Sequence, residues 1–201
     1  LAENTVVIYT ADQGYFLGEH GFFDKRLIYE ESLRMPFVIR YPREIPAGTR
    51  NSDIVLNIDF SALMADYAGI QIQNTIQGTS FRNNLIGYTP TNWRKSMYYR
   101  YWLHRIERPG HFGLRNKRFK LVFFYGQPLG MKGAMKTVTN PAWEFYDLKK
   151  DPQENHNAYQ NGEYADIIKT MKAELLIQRK IIGDMDKEHP IMQDIIDKYW
   201  D

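Results

Sequence analysis

The sequence predicts an α/β fold in two parts: the end of a mostly parallel sheet, then a smaller α+β subdomain with an antiparallel sheet and a C-terminal helix. Three observations predict it. Val6-Val7-Ile8-Tyr9 is an apolar, β-branched run without alternation. Such a run reads as a strand buried on both faces, as parallel strands are. From about Trp93, aromatic and β-branched runs follow one another with only turn residues between them, the pattern of an antiparallel sheet. Tyr164, Ile167, Ile168, Met171, Leu175 and Ile182 then make one apolar stripe at helical spacing, closed by Gly183. The change of style divides the chain into 1–92 and 93–201.

The elements follow in order. After the strand from Asn4 to Tyr9, the chain turns at Asp12-Gln13-Gly14. Leu27 to Arg34 reads as a short helix or turn stopped by Pro36, since proline removes a donor and pushes its predecessor out of the α region. Phe37 to Tyr41 is a second buried strand, and Pro42, Pro46 and Gly48 mark a loop. Asp53 to Asn57 is a short strand. Ile58, Leu63, Met64 and Tyr67 recur at helical spacing, with Asp59 as N-cap and Gly69 as the stop. Residues 70–93 read as loop. Met97–Trp102, Phe112–Arg115, Phe119–Tyr125 and Trp143–Leu148 are strands, with Asn116-Lys117 as a hairpin turn because asparagine tolerates the left-handed region. The long helix covers one face of their sheet, and a short helix from about Met192 to Tyr199 closes the chain.

Bulk properties narrow the function classes. The chain has 201 residues, 43% apolar, with a formal charge of +2. That charge is too small to imply nucleic acid or a membrane surface. No apolar run is long enough to span a bilayer, so no membrane partner is expected. There is no cysteine, which excludes disulfides, thiolate metal sites and a cysteine nucleophile within these residues. The chain starts at Leu1 almost directly with a strand, which reads as a cut edge: a processed chain or a piece of a longer protein.

Chemistry is expected where strands end, because ligands of open α/β sheets bind beyond the carboxyl ends of strands. Asp12 and Gln13 arrive there with oxygen donors suited to Ca²⁺ or Mg²⁺; the alternative is a local cap or turn. His20 and Lys25 follow in a loop kept tight by Gly18 and Gly21. A lysine beside a cation makes sense when an anion such as a sulfate or phosphate ester sits between them. His20 either donates to that anion or satisfies loop carbonyls. Adjacent Glu30 and Glu31 do not face each other on a helix, and they read as solvated or as partners of Arg34. The run Tyr98-Tyr99-Arg100-Tyr101-Trp102 reads as strand packing, with sugar stacking as the functional alternative. His104 reads as a surface-loop residue, while His111, just before a strand, is better placed for an anionic ligand. Basic residues 117, 118 and 120 read as a solvated hairpin end. His156 and His189 carry no visible partner.

Asp12-Gln13-Gly14, Leu17-Gly18-Glu19-His20-Gly21, Lys25 and Tyr29-Glu30-Glu31-Ser32-Leu33-Arg34-Met35-Pro36-Phe37 together resemble the type I sulfatases of the alkaline-phosphatase-like superfamily. The resemblance continues through Asn57-Ile58-Asp59-Phe60, Gln77-Gly78-Thr79-Ser80, Tyr99-Arg100-Tyr101-Trp102, His111-Phe112-Gly113-Leu114-Arg115 and Glu144-Phe145-Tyr146-Asp147-Leu148, then Asp151-Pro152-Gln153-Glu154-Asn155. It implies Asp12 and Gln13 as calcium ligands, Lys25 and His20 as catalytic residues, and His111 on the substrate side; His104 and Arg100 are read as further substrate-binding candidates from their place beside the same loop. Ca²⁺ would polarise the sulfate oxygens and Lys25 would offset the remaining charge. The family's formylglycine motif and its N-terminal Asp-Asp pair do not occur here. The chain therefore reads as the C-terminal portion of a sulfatase, inactive alone. Its nucleophile lies elsewhere and its expected substrate is a sulfated sugar or glycan. The resemblance also implies a periplasmic or secreted location, and association with the missing N-terminal half or with a second copy. The alternatives are a phosphodiester or phosphonate hydrolase of the same superfamily and a non-catalytic carbohydrate-binding module.

Overall fold

The computed structural model describes residues 1–73 and 75–201. The fold is α/β, and the chain forms two compact units. Leu1–Gly14 with Arg34–Lys95 make the first, and Tyr15–Leu33 with Ser96–Asp201 make the second. The junction at residues 95 and 96 follows the change of style near Trp93, while residues 15–33 fold with the later part of the chain.

In the first unit, strand β1 (Val7–Thr10) pairs with a later strand, Phe37–Arg40, antiparallel, with Tyr9 opposite Val38. This corrects the expectation of a parallel strand covered on both faces. Val7, Tyr9 and Val38 are exposed, while Ile8, Phe37 and Ile39 pack on Leu63, Phe81 and Trp93. A β-branched run suits either pairing, and the partner strand decides the direction. Helix Asp59–Ala68 ends at Gly69, whose φ of 66° and the bond from Ile70 N to Ala65 O close its last turn. Asp59 is not its N-cap; Ile58 takes that position. The Asp59 carboxylate is buried and accepts from Leu56 N at 2.8 Å and Thr79 N at 2.9 Å, and it pairs with Arg94. Gly78 lies against the Ile58 carbonyl, where a Cβ has no room. The stretch expected as loop contains one short helix, Arg82–Leu85.

The second unit is a four-stranded antiparallel sheet with its strands in sequence order. In chain order, with β2 (Phe16–Leu17), β3 (Phe23–Asp24), α1 (Glu30–Leu33), β4 (Phe37–Arg40), α2 (Asp59–Ala68) and α3 (Arg82–Leu85) before them, these strands are β5 (Ser96–Tyr101), β6 (His111–Asn116), β7 (Phe119–Phe124) and β8 (Ala142–Asp147). Asn116 closes the β6–β7 hairpin with its side chain, accepting from Arg118 N and Phe119 N. Alternation divides the sheet into two faces. One carries Phe112, Leu114, Leu121, Phe123, Trp143 and Phe145, packed under α4 (Ala165–Ile182) and α5 (Pro190–Tyr199) through Ile168, Met171, Leu175, Met192 and Ile195. Each such side chain contributes about 1.5–3 kcal/mol on burial. Trp143 Nε1 donates to Tyr199 O at 2.7 Å, which docks the last helix. The other face carries Tyr99, His111, Gly113, Arg115, Lys120, Val122, Phe124, Glu144 and Tyr146. Phe16, Leu27 and Ile28 of the 15–33 segment pack on its Val122 and Phe124. The segment that holds His20 and Lys25 is therefore seated on the polar-rich face.

Candidate functional site

Asp12 and Gln13 lie just past the end of β1, in the first unit. A hollow of ≈ 500 Å³ there is lined by Thr10, Ala11, Asp12, Asn57, Ile58 and Phe60. Asn57 Nδ2 donates to Asp12 O at 3.1 Å and fixes the turn. The sequence reading missed this role, although Asn57 opens the stretch Asn57-Ile58-Asp59-Phe60 quoted above. The donors are of the kind a hard cation takes, but Ca²⁺ needs six to eight oxygens. Among the described residues no three or more His, Asp or Glu groups gather to hold a metal. Asp12 and Gln13 thus fit Ca²⁺ in chemical type, and they are too few to make up its shell by themselves.

Lys25 lies in the second unit, just after the β2–β3 hairpin. Its neighbours Asp24 (φ 149°) and Arg26 (φ 99°) occupy backbone conformations that side-chain-bearing residues rarely adopt. Arg108 Nη1 donates to Asp24 Oδ2 at 2.8 Å, and the Arg26 guanidinium reaches the same oxygen. The Tyr99 hydroxyl donates to Arg26 O at 2.6 Å, and Arg26 N donates to Ser32 Oγ at 2.8 Å.

His20, at φ 54°, stacks on Tyr29 with ring centroids 4.5 Å apart. Its Nε2 stands 3.5 Å from Glu31 Oε2. The Tyr29 hydroxyl donates to Glu144 Oε2 at 2.8 Å, and the Tyr146 hydroxyl donates to the same oxygen at 3.0 Å. Burial pushes the Glu144 carboxyl up, against the opposing pull of the two phenols. The same burial, reinforced by Glu144, pushes Tyr29 up and keeps it a donor.

His111 is fully buried beside Tyr99, Tyr101 and Phe124. Its Nδ1 lies 2.7 Å from Pro109 O. A carbonyl only accepts, so the proton is on Nδ1 and Nε2 is an acceptor. Nε2 is buried with no hydrogen-bond partner among the described residues. Burial holds the imidazole neutral, pushing it down to about 4.

The structure does not group Arg100 and His104 with these residues. Arg100 stands opposite Phe112 in the ladder, on the helix-covered face. It pairs with Asp184 and Asp186, each at 2.6 Å, and stacks over Trp102. The alternation of strand side chains separates it from His111. His104 is buried, not a surface residue. Its Nε2 bonds Thr137 O at 2.7 Å and its Nδ1 accepts from Gly110 N at 3.1 Å, so both ring nitrogens are spent joining two loops. Two further readings are corrected. Glu30 is buried and bonded to Arg115 and Lys120 rather than solvated or paired with Arg34. Lys120 is fully buried between Glu30 (3.0 Å) and Glu154 (2.7 Å), not part of a solvated hairpin end. Their charged partners lie 34 to 90 residues away along the chain, beyond any local pattern.

Residues 18–181 match a family model described as N-sulphoglucosamine sulphohydrolase, C-terminal. An N-acetylglucosamine-6-O-sulfatase of Bacteroides thetaiotaomicron is 44% identical over 169 residues, covering 81% of this chain and 28% of the relative. Among solved structures, one in complex with its substrate D-glucosamine-2-N,6-O-disulfate superposes with a TM-score of 0.82 at 40% identity, covering 93% of this chain and 36% of the other. A phosphonate monoester hydrolase of Agrobacterium radiobacter shares the fold, with a TM-score of 0.70 at 23% identity over 87% of this chain and 35% of that one. The chain thus spans about a third of the length of the proteins it matches. No helix among the described residues is long and apolar enough to cross a membrane.

Proposed function

This chain belongs to the sulfatase family, as a C-terminal portion, and on that premise we propose that it serves a hydrolase of sulfate esters on a glycan, with 6-O-sulfated glucosamine as the sugar. The observation that carries the reading is Lys25, held between two strained residues on the polar-rich side of the sheet. Strain of this kind collects where function needs it. Lys25 is the ammonium partner of the sulfate, and His20, stacked on Tyr29, lies in the same loop. His111 keeps its assignment to the substrate side as a neutral imidazole whose buried Nε2 can only accept. Asp12 and Gln13 are ligands to Ca²⁺, with Asn57 holding their turn. A bound Ca²⁺ supplies Lewis-acid polarisation of sulfate oxygens. The formylglycine nucleophile belongs to a part of the enzyme outside these residues. A periplasmic or secreted site of action goes with this substrate.

The test is a titration of the purified chain with glucosamine 6-sulfate, followed by NMR. Binding that perturbs Lys25 and His111, and that Lys25→Ala weakens at least about tenfold, is the expected result. Ca²⁺ binds weakly, and Asp12→Ala removes that binding. Sulfated-sugar binding indifferent to Asp12→Ala and Lys25→Ala would instead identify a non-catalytic carbohydrate-binding module. Release of sulfate by the chain alone would overturn the assignment of the nucleophile to another part of the enzyme.

A further inference from the structure

We propose that Arg108 and Tyr99 are positioning residues for Lys25, clamping the backbone on either side of it; this rests on the anion-binding role proposed for Lys25. Two consecutive obstacles have to be overcome to hold Lys25 where it is. Asp24 and Arg26 both sit at positive φ, 149° and 99°. Such conformations are costly for residues with side chains and persist only where the surroundings over-determine them.

The surroundings are specific on both sides. Before Lys25, Arg108 grips the Asp24 carboxylate at 2.8 Å, and the Arg108 side chain is only 14% exposed. Charge-assisted bonds of this kind are about twice as strong as neutral ones. After Lys25, the Tyr99 hydroxyl holds the Arg26 carbonyl at 2.6 Å. Tyr99 stands on β5, and Arg108 in the loop that joins β5 to β6. That loop is itself braced, with Arg105 N donating to Arg108 O at 3.0 Å and Arg108 N returning to Arg105 O at 3.2 Å. The Arg108 guanidinium also packs 5.9 Å from the Phe22 ring centroid. Both clamps therefore anchor in the four-stranded sheet or in its braced β5–β6 connection, while the segment they hold is a loop.

The Asp24 carboxylate is met by two guanidinium groups, from Arg26 and Arg108, so it is anchored from both its own segment and the β5–β6 loop. Glu107 stands 3.8 Å from Arg108 and is half exposed. Neither Arg108 nor Tyr99 needs to touch the anion.

The experiment follows the Lys25 side chain and amide by NMR in isotope-labelled chain, with inorganic sulfate as the probe and Lys25→Arg to assign the signals. Tyr99→Phe removes one hydroxyl and keeps the ring. Arg108→Lys keeps the charge and loses the planar fork, and Arg108→Ala loses both. Each variant should keep cooperative melting, shift the Lys25 side-chain resonance, loosen its amide and weaken sulfate binding about fivefold to tenfold. Arg108→Lys should fall between wild type and Arg108→Ala. Unchanged Lys25 signals and sulfate affinity in both Tyr99→Phe and Arg108→Lys would overturn the clamp. Should Arg108→Lys fail to fold, Tyr99→Phe decides alone. If the wild-type chain shows no sulfate effect at Lys25, the anion reading fails. The clamp is then judged on Lys25 amide order: looser in the variants supports it, unchanged refutes it.

Discussion

Ile28 lies directly over the bare Cα of Gly113. A Cβ at that position would meet Ile28 Cδ1 at 2.6 Å and Leu121 O at 2.6 Å. This contact seats the 15–33 segment on β6, and the same packing brings Phe16 and Leu27 down on Val122 and Phe124. Gly113→Ala should therefore destabilise the chain by about 1–3 kcal/mol, as overpacking does. Thermal melting measures it. Adding Ile28→Val should recover part of the loss and not all, because the Leu121 carbonyl stays in place.

His111 should not titrate across the physiological range. Burial holds its folded-state value down to about 4, so the ring is neutral from pH 8 to pH 5, with its proton on Nδ1. Nitrogen chemical shifts of the ring measure this directly. A protonated Nε2 at pH 6 would contradict the acceptor role and the geometry behind it.

The Lys120 site should behave as a buried charge cluster. Lys120→Met leaves the Glu154 carboxylate buried without its ammonium partner, and the loss should be about 3–5 kcal/mol. Glu154→Gln in the same chain should restore part of it, since glutamine still accepts from Glu30 N, the bond now measured at 2.7 Å. Urea denaturation of the two single variants and the double variant gives the coupling.

Acid should weaken the same cluster through Glu30. Burial by itself would raise this carboxyl, but the bonds from Arg115 and Lys120 outweigh burial and hold it at about 2, against an ordinary 4.5. A lowered carboxyl contributes stability in full above the unfolded value, and that stability is lost as pH falls through the folded one. The stability difference between wild type and Glu30→Gln should thus shrink as pH falls from 4.5 to 2. Glu154, which burial pushes up, works with the opposite sign, its penalty at neutral pH easing as it protonates. A difference that stays constant through the window would show that Glu30 is not ionised in this cluster.

Arg100 should prove structural. It bridges Asp184 and Asp186 just beyond α4, with a side chain only 4% exposed. Arg100→Leu takes one partner from each carboxylate, leaving Arg179 on Asp186 and the Tyr98 hydroxyl on Asp184, and should cost about 1.5–3 kcal/mol, read from the melting temperature. Binding of glucosamine 6-sulfate below that temperature should match wild type. A selective loss of binding at unchanged stability would return Arg100 to the site.

The sequence by itself determined what is local. The four strands, their hairpin turn at Asn116, the long helix ending at Gly183 and the stop at Gly69 all follow from periodicity and from residues that tolerate the left-handed region. Motif and strand-end position together singled out Asp12, Gln13, His20, Lys25 and His111. Only tertiary structure decided direction, face and burial. The partner of β1 runs antiparallel, Arg100 falls on the opposite face from His111, and His104, Glu30 and Lys120 are buried with partners far away in sequence. The physical reason is that a side chain's periodicity is carried by its own segment. The charge that neutralises it, or the strand that turns it inward, comes from elsewhere in the chain and is fixed only when the segments pack.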